Sequence, residues 1–229
     1  AMPALKDIDL SEATIVAYSG TEGTQNGNYT YAANEIPGEA FYIVPCAGGN
    51  HIKSVVLSPE VISIGSFAFK NSKYLAAINI SPSITNIGEM AFEICSALIN
   101  VDKNNPNYSS ADGVLFNKNK TKIIQCPISK TGNYTIPSSV TSVGRYAFSN
   151  CTKLTSVKIP STVSIIEEWA FSNCNGLHDV NIPSSVTSIE GWAFYICSAL
   201  INVESNNQNY SSIDGVLFNK EQTIIIQCP

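Results

Sequence analysis

"LTSVKIPSTVSIIEEWAFSNC", residues 154–174, is the stretch on which the fold turns. Leu154, Val157 and Ile159 follow the spacing L-x-x-V-x-I, which predicts a short β-strand with those side chains on one side. Pro160 ends it, because proline has no amide proton to give a ladder. Val163 and Ile165 alternate in the same way and predict a second extended segment. Ile166, Ala170 and Phe171 then bring the chain back across the apolar side, the small Ala170 letting Phe171 sit close to a neighbour. One such stretch cannot bury its own apolar face, but stacked copies can.

Copies are present. "LHDVNIPSSVTSIEGWAFYIC" follows at 177–197, and the Ala-Phe pair recurs at Phe41, Phe69, Phe92, Phe148, Phe171 and Phe194, most often at an interval of 23 residues. The gap between Phe92 and Phe148 closes if "ADGVLF" (111–116) is a variant unit, since "IDGVLF" (213–218) superposes on "IEGWAF" (189–194). Phe116 and Phe218 then complete eight anchors. A longer period overlies the first: residues 93–127 match residues 195–229 at 27 of 35 positions, a duplicated block of 102 residues. With strands stacked roughly 4.8 Å apart, eight coils make a curved rod about 40 Å long. A β-sandwich of short strands would leave the fixed interval unexplained.

These units, with the interleaved "NYSSIDGVLFNK", resemble the BspA-type leucine-rich repeats of bacterial surface proteins, common in Bacteroidetes. The resemblance covers residues 36–229 and rests on a repeated multi-residue pattern. It implies a right-handed leucine-rich-repeat solenoid of mainly short β-strands, extracellular or at the cell surface, secreted or anchored in an outer membrane. Members are described as adhesins toward host matrix proteins or other cells. The chain departs from the pattern at "QCP" and at "AFKNS" (68–72), which lacks the cysteine. Residues 1–35 differ from the rest: "LKDIDLSEATIV" reads as strand, the Gly/Thr/Asn-rich run after Tyr18 reads as loop, and together they suit a cap over the end of a solenoid core. The last residues, "IIIQCP", stop in mid-pattern, and the opening Ala1-Met2 has the look of a cloning remnant. Both features suit a piece cut from a longer protein.

Composition narrows the partners. In 229 residues, 44% hydrophobic and 14% charged content describes a folded chain, either one large domain or two small ones. A net charge of −5 and no clustered Lys or Arg argue against nucleic acid. No apolar run reaches the roughly 18 residues of a membrane span, so membrane insertion of this segment is not expected, and the start lacks the order of a signal peptide.

Chemistry has little support. Nucleophilic catalysis most often uses a histidine base, and the two histidines, His51 and His178, lie more than a hundred residues apart. Cys95, Cys151, Cys174 and Cys197 each fall three residues after a repeat phenylalanine and should align in one column. They read as buried reduced thiols that act as small hydrophobes. Cys126 and Cys228 take the same reading, and Cys46, in an irregular loop, is the best candidate for an exposed or reactive thiol. No C-x-x-C pair offers zinc a site. Glu167 and Glu168 diverge as neighbours, Asp102 and Glu204 repeat each other in separate blocks, and Asp112-Gly113 and Asp214-Gly215 are turn dipeptides. The sequence therefore predicts no catalytic residues, no cofactor and no metal.

A solenoid binds through its regular sheet face or a column of exposed side chains. The outward strand positions read as Lys53, Ser54, Val56; Ala76, Ala77, Asn79; Ile99, Asn100, Asp102; Thr155, Ser156, Lys158; His178, Asp179, Asn181; and Ile201, Asn202, Glu204. A second column lies two residues before each repeat phenylalanine, at Phe67, Met90, Val114, Tyr146, Trp169, Trp192 and Val216, and should form an outer wall. Tyr146, Trp169 and Trp192 could offer their faces to sugar rings or a protein, or stack on one another as wall material. The candidate partner-binding residues are thus Tyr146, Trp169, Trp192, Lys158, Asn181, Asn202 and Glu204. The function expected is a non-enzymatic module that binds a host matrix or cell-surface protein. The alternatives are a carbohydrate-binding module built on the aromatic column and a passive spacer in a larger surface protein.

Overall fold

The structure is a computed structural model that describes residues 6–20, 29–42 and 51–228. Its contacts divide into two compact units, Ala1–Lys118 and Asn119–Pro229. Among the described residues there is no helix.

The first unit contains β1 (Asp7–Asp9), β2 (Tyr18–Gly20), β3 (Tyr29–Tyr31), β4 (Glu35–Ile36), β5 (Ser54–Val56), β6 (Ser63–Ile64), β7 (Ala77–Ile80), β8 (Asn86–Ile87), β9 (Leu98–Val101), β10 (Tyr108–Ala111) and β11 (Val114–Asn117). On one face β1 pairs in parallel with β5, and β7 with β9. On a second face β4, β6 and β8 form a parallel ladder of two-residue strands. The strand expected through "LKDIDLSEATIV" is confined to Asp7–Asp9, and the antiparallel pair β2/β3 flanks the expected loop, whose residues 21–28 lie outside the described residues.

The second unit contains β12 (Lys122–Gln125), β13 (Gly132–Thr135), β14 (Ser142–Val143), β15 (Leu154–Lys158), β16 (Ile165–Ile166), β17 (Asp179–Ile182), β18 (Ser188–Ile189), β19 (Leu200–Val203), β20 (Tyr210–Ile213), β21 (Val216–Asn219) and β22 (Ile225–Gln227). The first face is the parallel sheet β13-β15-β17-β19. The second face carries β12, β14, β16 and β18, again parallel. Of the alternation expected at Val163 and Ile165, Val163 is buried but Ile165 faces out. Ile166 takes the inward place, because the turn closed by Val163 N–H to Pro160 O shifts the phase.

What joins coil to coil is a run of turns around each Ala-Phe pair. Phe148 N–H donates to Ala170 O (2.8 Å) and Phe171 N–H to Ala193 O (2.7 Å), while Asn150 and Asn173 donate to Ser172 and Tyr195. Intervening amides close turns within their own coil, as Ala170 N–H does to Glu167 O. This alternation requires left-handed backbone on either side of the phenylalanine. Phe67, Met90, Tyr146, Trp169 and Trp192 have φ of 53° to 60°, and Asn71, Ile94, Asn150, Asn173 and Ile196 have φ of 49° to 63°. Left-handed backbone costs a residue with a side chain about 1–2 kcal/mol. It is held here because it aims the amides at the next coil's carbonyls.

Six coils, not eight, are built this way. Phe41, Phe69 and Phe92 stack in the first unit, and Phe148, Phe171 and Phe194 in the second, with centroids 4.8–5.4 Å apart. The two variant anchors lie elsewhere. Asp112 and Gly113 both have positive φ (49° and 77°), so "ADGV" is a tight hairpin turn and Phe116 sits on β11, antiparallel to β10. Asp214, Gly215 and Phe218 repeat this in β20/β21. The same hairpin geometry overturns the outer-wall expectation at Val114, which is fully buried, and Val216 is half-buried.

Each hairpin folds back to close a sheet edge. Ile99 N–H donates to Gly113 O (3.0 Å) and Val101 N–H to Ser110 Oγ (2.9 Å); Ile201 and Val203 do the same to Gly215 and Ser212. A Cβ on Gly113 would come within 2.7 Å of Leu98, so glycine is needed there for space as well as for φ. The expected register through Leu98 and Leu200 is off by one residue. Ile99 pairs with Ile78 and is buried, as is Ile201, while Leu98 and Leu200 point outward against the hairpin glycines. Ala97 and Ala199 take the inward places.

Beneath each hairpin a buried asparagine uses its whole amide. Asn207 Nδ2 donates to Pro183 O (2.9 Å) and Val186 O (3.1 Å), and its Oδ1 accepts from Asn209 N (2.8 Å) and Tyr210 N (2.9 Å). Asn105 makes the matching four bonds to Ser81 O, Ile84 O, Asn107 N and Tyr108 N. Sequence reasoning missed both, although "NNPNYSS" and "NNQNYSS" stand in the duplicated block.

Candidate binding surface

In the second unit, Lys158 follows Val157 on β15, Asn181 lies on β17 and Asn202 on β19, while Glu204 follows β19. All four are exposed, because alternation along the strands sends Val157, Val180, Ile182 and Ile201 into the core. Asn181 and Asn202 sit opposite each other in the ladder. A groove of about 380 Å³ crosses the ends of these strands, lined by Lys158, Asp179, Asn181 and Glu204 with Ser156. Among the described residues, the side chains of Lys158, Asp179, Asn181 and Asn202 make no hydrogen bond or ion pair. Glu204 Oε2 accepts Ser184 N–H (2.7 Å), which holds its carboxyl below the ordinary value. The neighbouring part of the face is committed within the chain, since Asn133 Oδ1 accepts from both Thr155 Oγ1 and Ser156 Oγ.

The first unit has a counterpart groove of about 450 Å³, lined by Val56, Pro59, Asn79, Pro82, Asn100 and Asp102 among others. It is less charged, and Asn100 Nδ2 already donates to Asn79 Oδ1. Duplication thus produced two like grooves, of which the second carries the uncommitted charge.

The aromatic candidates line no part of that groove. Tyr146, Trp169 and Trp192 occupy the left-handed turn position after β14, β16 and β18. Their rings stack face to face, Tyr146 on Trp169 at 6.1 Å and 7°, Trp169 on Trp192 at 5.6 Å and 15°. Tyr195 packs edge-on to both indoles, and the Arg145 guanidinium lies 5.2 Å from the Tyr146 ring centre. The faces that could hold sugars in sequence are therefore used on one another. Only the last ring, Trp192, is largely exposed, at 59%.

His51 belongs to the first unit, against Tyr74, and His178 to the second. Glu167 and Glu168 do diverge: Glu167 bonds Lys122 Nζ, Ser142 Oγ and Arg145 N, while Glu168 pairs with Arg145. Burial pushes the Glu167 carboxyl up, but Lys122 and the other donors outweigh it and hold it below the ordinary value. No group of three His, Cys, Asp or Glu side chains among the described residues could hold a metal.

Cys95, Cys151, Cys174 and Cys197 are free, buried thiols, and so is Cys126. Cys174 Sγ donates to Phe148 O (3.0 Å), and burial pushes the Cys95 thiol up to about 12. Cys151 is raised chiefly by its contact with Cys126, and Cys174 and Cys197 by burial. Cys228 departs from its expected burial and is exposed, because β22 carries no following strand among the described residues. Cys46 lies outside the described residues. In a Cys46→Ser variant at neutral pH, Ellman's reagent should react rapidly with one thiol, Cys228, and with the other five only in denaturant. Three or more fast thiols in the native protein would contradict the packing of the column.

The profile of the BspA type leucine rich repeat region matches residues 34–134 and 125–228, in six copies. The chain belongs to this family. Three solved structures share the fold. The pneumococcal vaccine antigen PcpA is 21% identical over 69% of this chain and 46% of its own, with a TM-score of 0.58. A leucine-rich repeat protein from Eubacterium ventriosum is 28% identical over 67% of this chain and 54% of its own, at 0.54. A leucine rich cell surface protein from Faecalibacterium prausnitzii is 23% identical over 87% of this chain and 53% of its own, at 0.60. The present BspA-type chain spans about half the length of each. Comparison with curated protein sequences finds no match. No helix among the described residues is long and apolar enough to cross a membrane.

Proposed function

We propose that this BspA-type chain is a non-enzymatic module, displayed at a cell surface or secreted, that binds a host matrix or neighbouring-cell protein through the first face of its second unit. The observation that carries this reading is the groove whose Lys158, Asp179 and Asn181 side chains, with Asn202 on the neighbouring strand, have no hydrogen-bond or ion-pair partner among the described residues. Polar groups left unpaired on a rigid sheet are preorganised for a partner, since little side-chain or backbone order has to be imposed on binding. Charges of both signs, with Lys158 beside Asp179 and Glu204, suit a protein segment of mixed charge better than a polyanion. The cell-surface and vaccine-antigen relatives support the location. Residues 1–35 serve as the cap of the first unit, a role supported by β1 lying on β5 and by Asn34 N–H donating to Ile15 O.

The test is binding of the 229-residue chain to immobilised matrix proteins and to intact cells, with a glycan array beside it. Lys158→Ala combined with Glu204→Ala should weaken protein binding about 10-fold. The combination Trp169→Ala and Trp192→Ala should leave it within about 3-fold, as expected outside a hot spot. An array signal abolished by the tryptophan variants would replace this reading with carbohydrate binding. Silence toward every ligand would leave a spacer.

A further inference from the structure

The net charge of −5 belongs to the first unit. Residues 1–118 hold eleven acidic against six basic side chains, and residues 119–229 hold seven of each. Charge of one sign attracts segments of the other, so the first unit favours a basic partner where the neutral second unit does not. Its groove of about 450 Å³ occupies the same outward strand positions as the groove of the second unit, 102 residues earlier. The chemistry differs, because Val56 stands in the place of Lys158 and Ala77 in that of Asp179.

The apolar part of this groove is Val56, 48% exposed, with the exposed rings of Pro59 and Pro82. Asn79 and Asn100 lie opposite each other in the ladder beside it, and the bond from Asn100 Nδ2 to Asn79 Oδ1 (3.3 Å) leaves one amide donor and one acceptor without a bond among the described residues. Carboxylates stand at both ends. Asp9 is opposite Val56 on β1, and Asp102 lines the groove just past β9. Each accepts a turn amide, from Ser11 and from Asn104, and each remains exposed. Lys53 and Lys103, the basic residues that flank these strands, line no part of the groove. Ala76 N–H donates to Lys53 O, which sets β7 beside β5, so the face runs β1, β5, β7, β9. From Asp9 to Asp102 it spans three strand spacings across and two residues along, about 16 Å, the reach of about four to five extended residues.

We propose that the first unit carries a second binding site, for an extended protein segment with two basic residues about four positions apart and aliphatic residues between them. The aliphatic side chains seat on Val56, Pro59 and Pro82, the segment's backbone meets Asn79 and Asn100, and its cations reach Asp9 and Asp102. This site does not depend on the second-unit face, and separate variants test the two. The probe is fluorescein-labelled Lys-Val-Val-Val-Lys, read by anisotropy at low salt against the 229-residue chain up to about 500 µM, a range that covers weak affinities. It should bind saturably, about 10-fold tighter than Glu-Val-Val-Val-Glu or Lys-Gly-Gly-Gly-Lys. Val56→Lys installs the residue that the second block carries at that place, and should weaken binding about 10-fold with circular dichroism unchanged. Asp102→Asn keeps an acceptor for the Asn104 amide and should weaken binding about 3-fold while flattening its dependence on salt. Lys158→Ala with Glu204→Ala should leave it unchanged. Absence of saturation, equal binding of the glutamate or glycine peptide, indifference to both Val56→Lys and Asp102→Asn, or loss with the second-unit pair would each overturn the proposal.

Discussion

Asn207→Ala is expected to lower the melting temperature of the second unit by about 10 °C. The substitution strands the carbonyls of Pro183 and Val186 and the amides of Asn209 and Tyr210, all satisfied by one side chain that has no exposed surface. A buried polar group left unpaired costs about 1–3 kcal/mol. Some of the four will find water beside the hairpin, so the sum is about 3–5 kcal/mol, and at this chain length each kcal/mol moves the melting temperature by about 2–4 °C. Asn207→Asp should do no better, because a carboxylate has no proton for the two carbonyls and places charge against them. Calorimetry of both variants checks this, and shifts below about 2 °C would mean that the hairpin is held by its own strands. Asn105→Ala should act alike in the first unit, where the same four bonds recur.

Phe171→Ala should destabilise the second unit by about 3–5 kcal/mol, the usual cost of truncating a buried phenylalanine. Its ring lies between Phe148 at 5.0 Å and Phe194 at 5.3 Å, nearly parallel to both, and is wholly buried. The cavity would open in the middle of a ring column whose backbone is tied to both neighbouring coils, so little collapse is available to fill it. Phe41→Ala should cost less, since Phe41 is half-buried where Phe171 is wholly buried. Urea titrations that give a lower midpoint with an unchanged slope would support the packing argument. Equal losses for Phe171→Ala and Phe41→Ala would contradict it.

Much of the architecture is legible because each coil solves the same burial problem. Val157, Val180 and Ile201 are buried at corresponding places on consecutive strands, and Ala170 and Phe171 recur as Ala193 and Phe194. The false readings cluster where the repeat is broken. "ADGVLF" aligns with "IEGWAF" residue for residue, but Asp112-Gly113 makes a two-residue hairpin turn, which reverses the chain where Glu190-Gly191 carries it on. "SALINV" contains two registers of the same apolar spacing, and only the hairpin against Leu98 selects the one with Ile99 inside. The site was half legible. Alternation sends Lys158, Asn181 and Asn202 outward, but whether their polar atoms are free depends on neighbours across the ladder, as the bond from Asn100 to Asn79 shows in the other unit.

The amino-acid sequence by itself determined the family, the two-faced β-coil, the phenylalanine column and the buried thiols, because burial periodicity is a property of one coil repeated. Only the tertiary structure decided that there are six coils, and that Tyr146, Trp169 and Trp192 stack on one another. Those three residues sit at φ near 60°, a backbone that sequence rules assign to glycine or asparagine. The bulky rings are held there because left-handed backbone aims the coil's amides at the next coil, as in Trp169 N–H to Gly191 O and Asn173 N–H to Tyr195 O. That bond exists only once the coils are stacked.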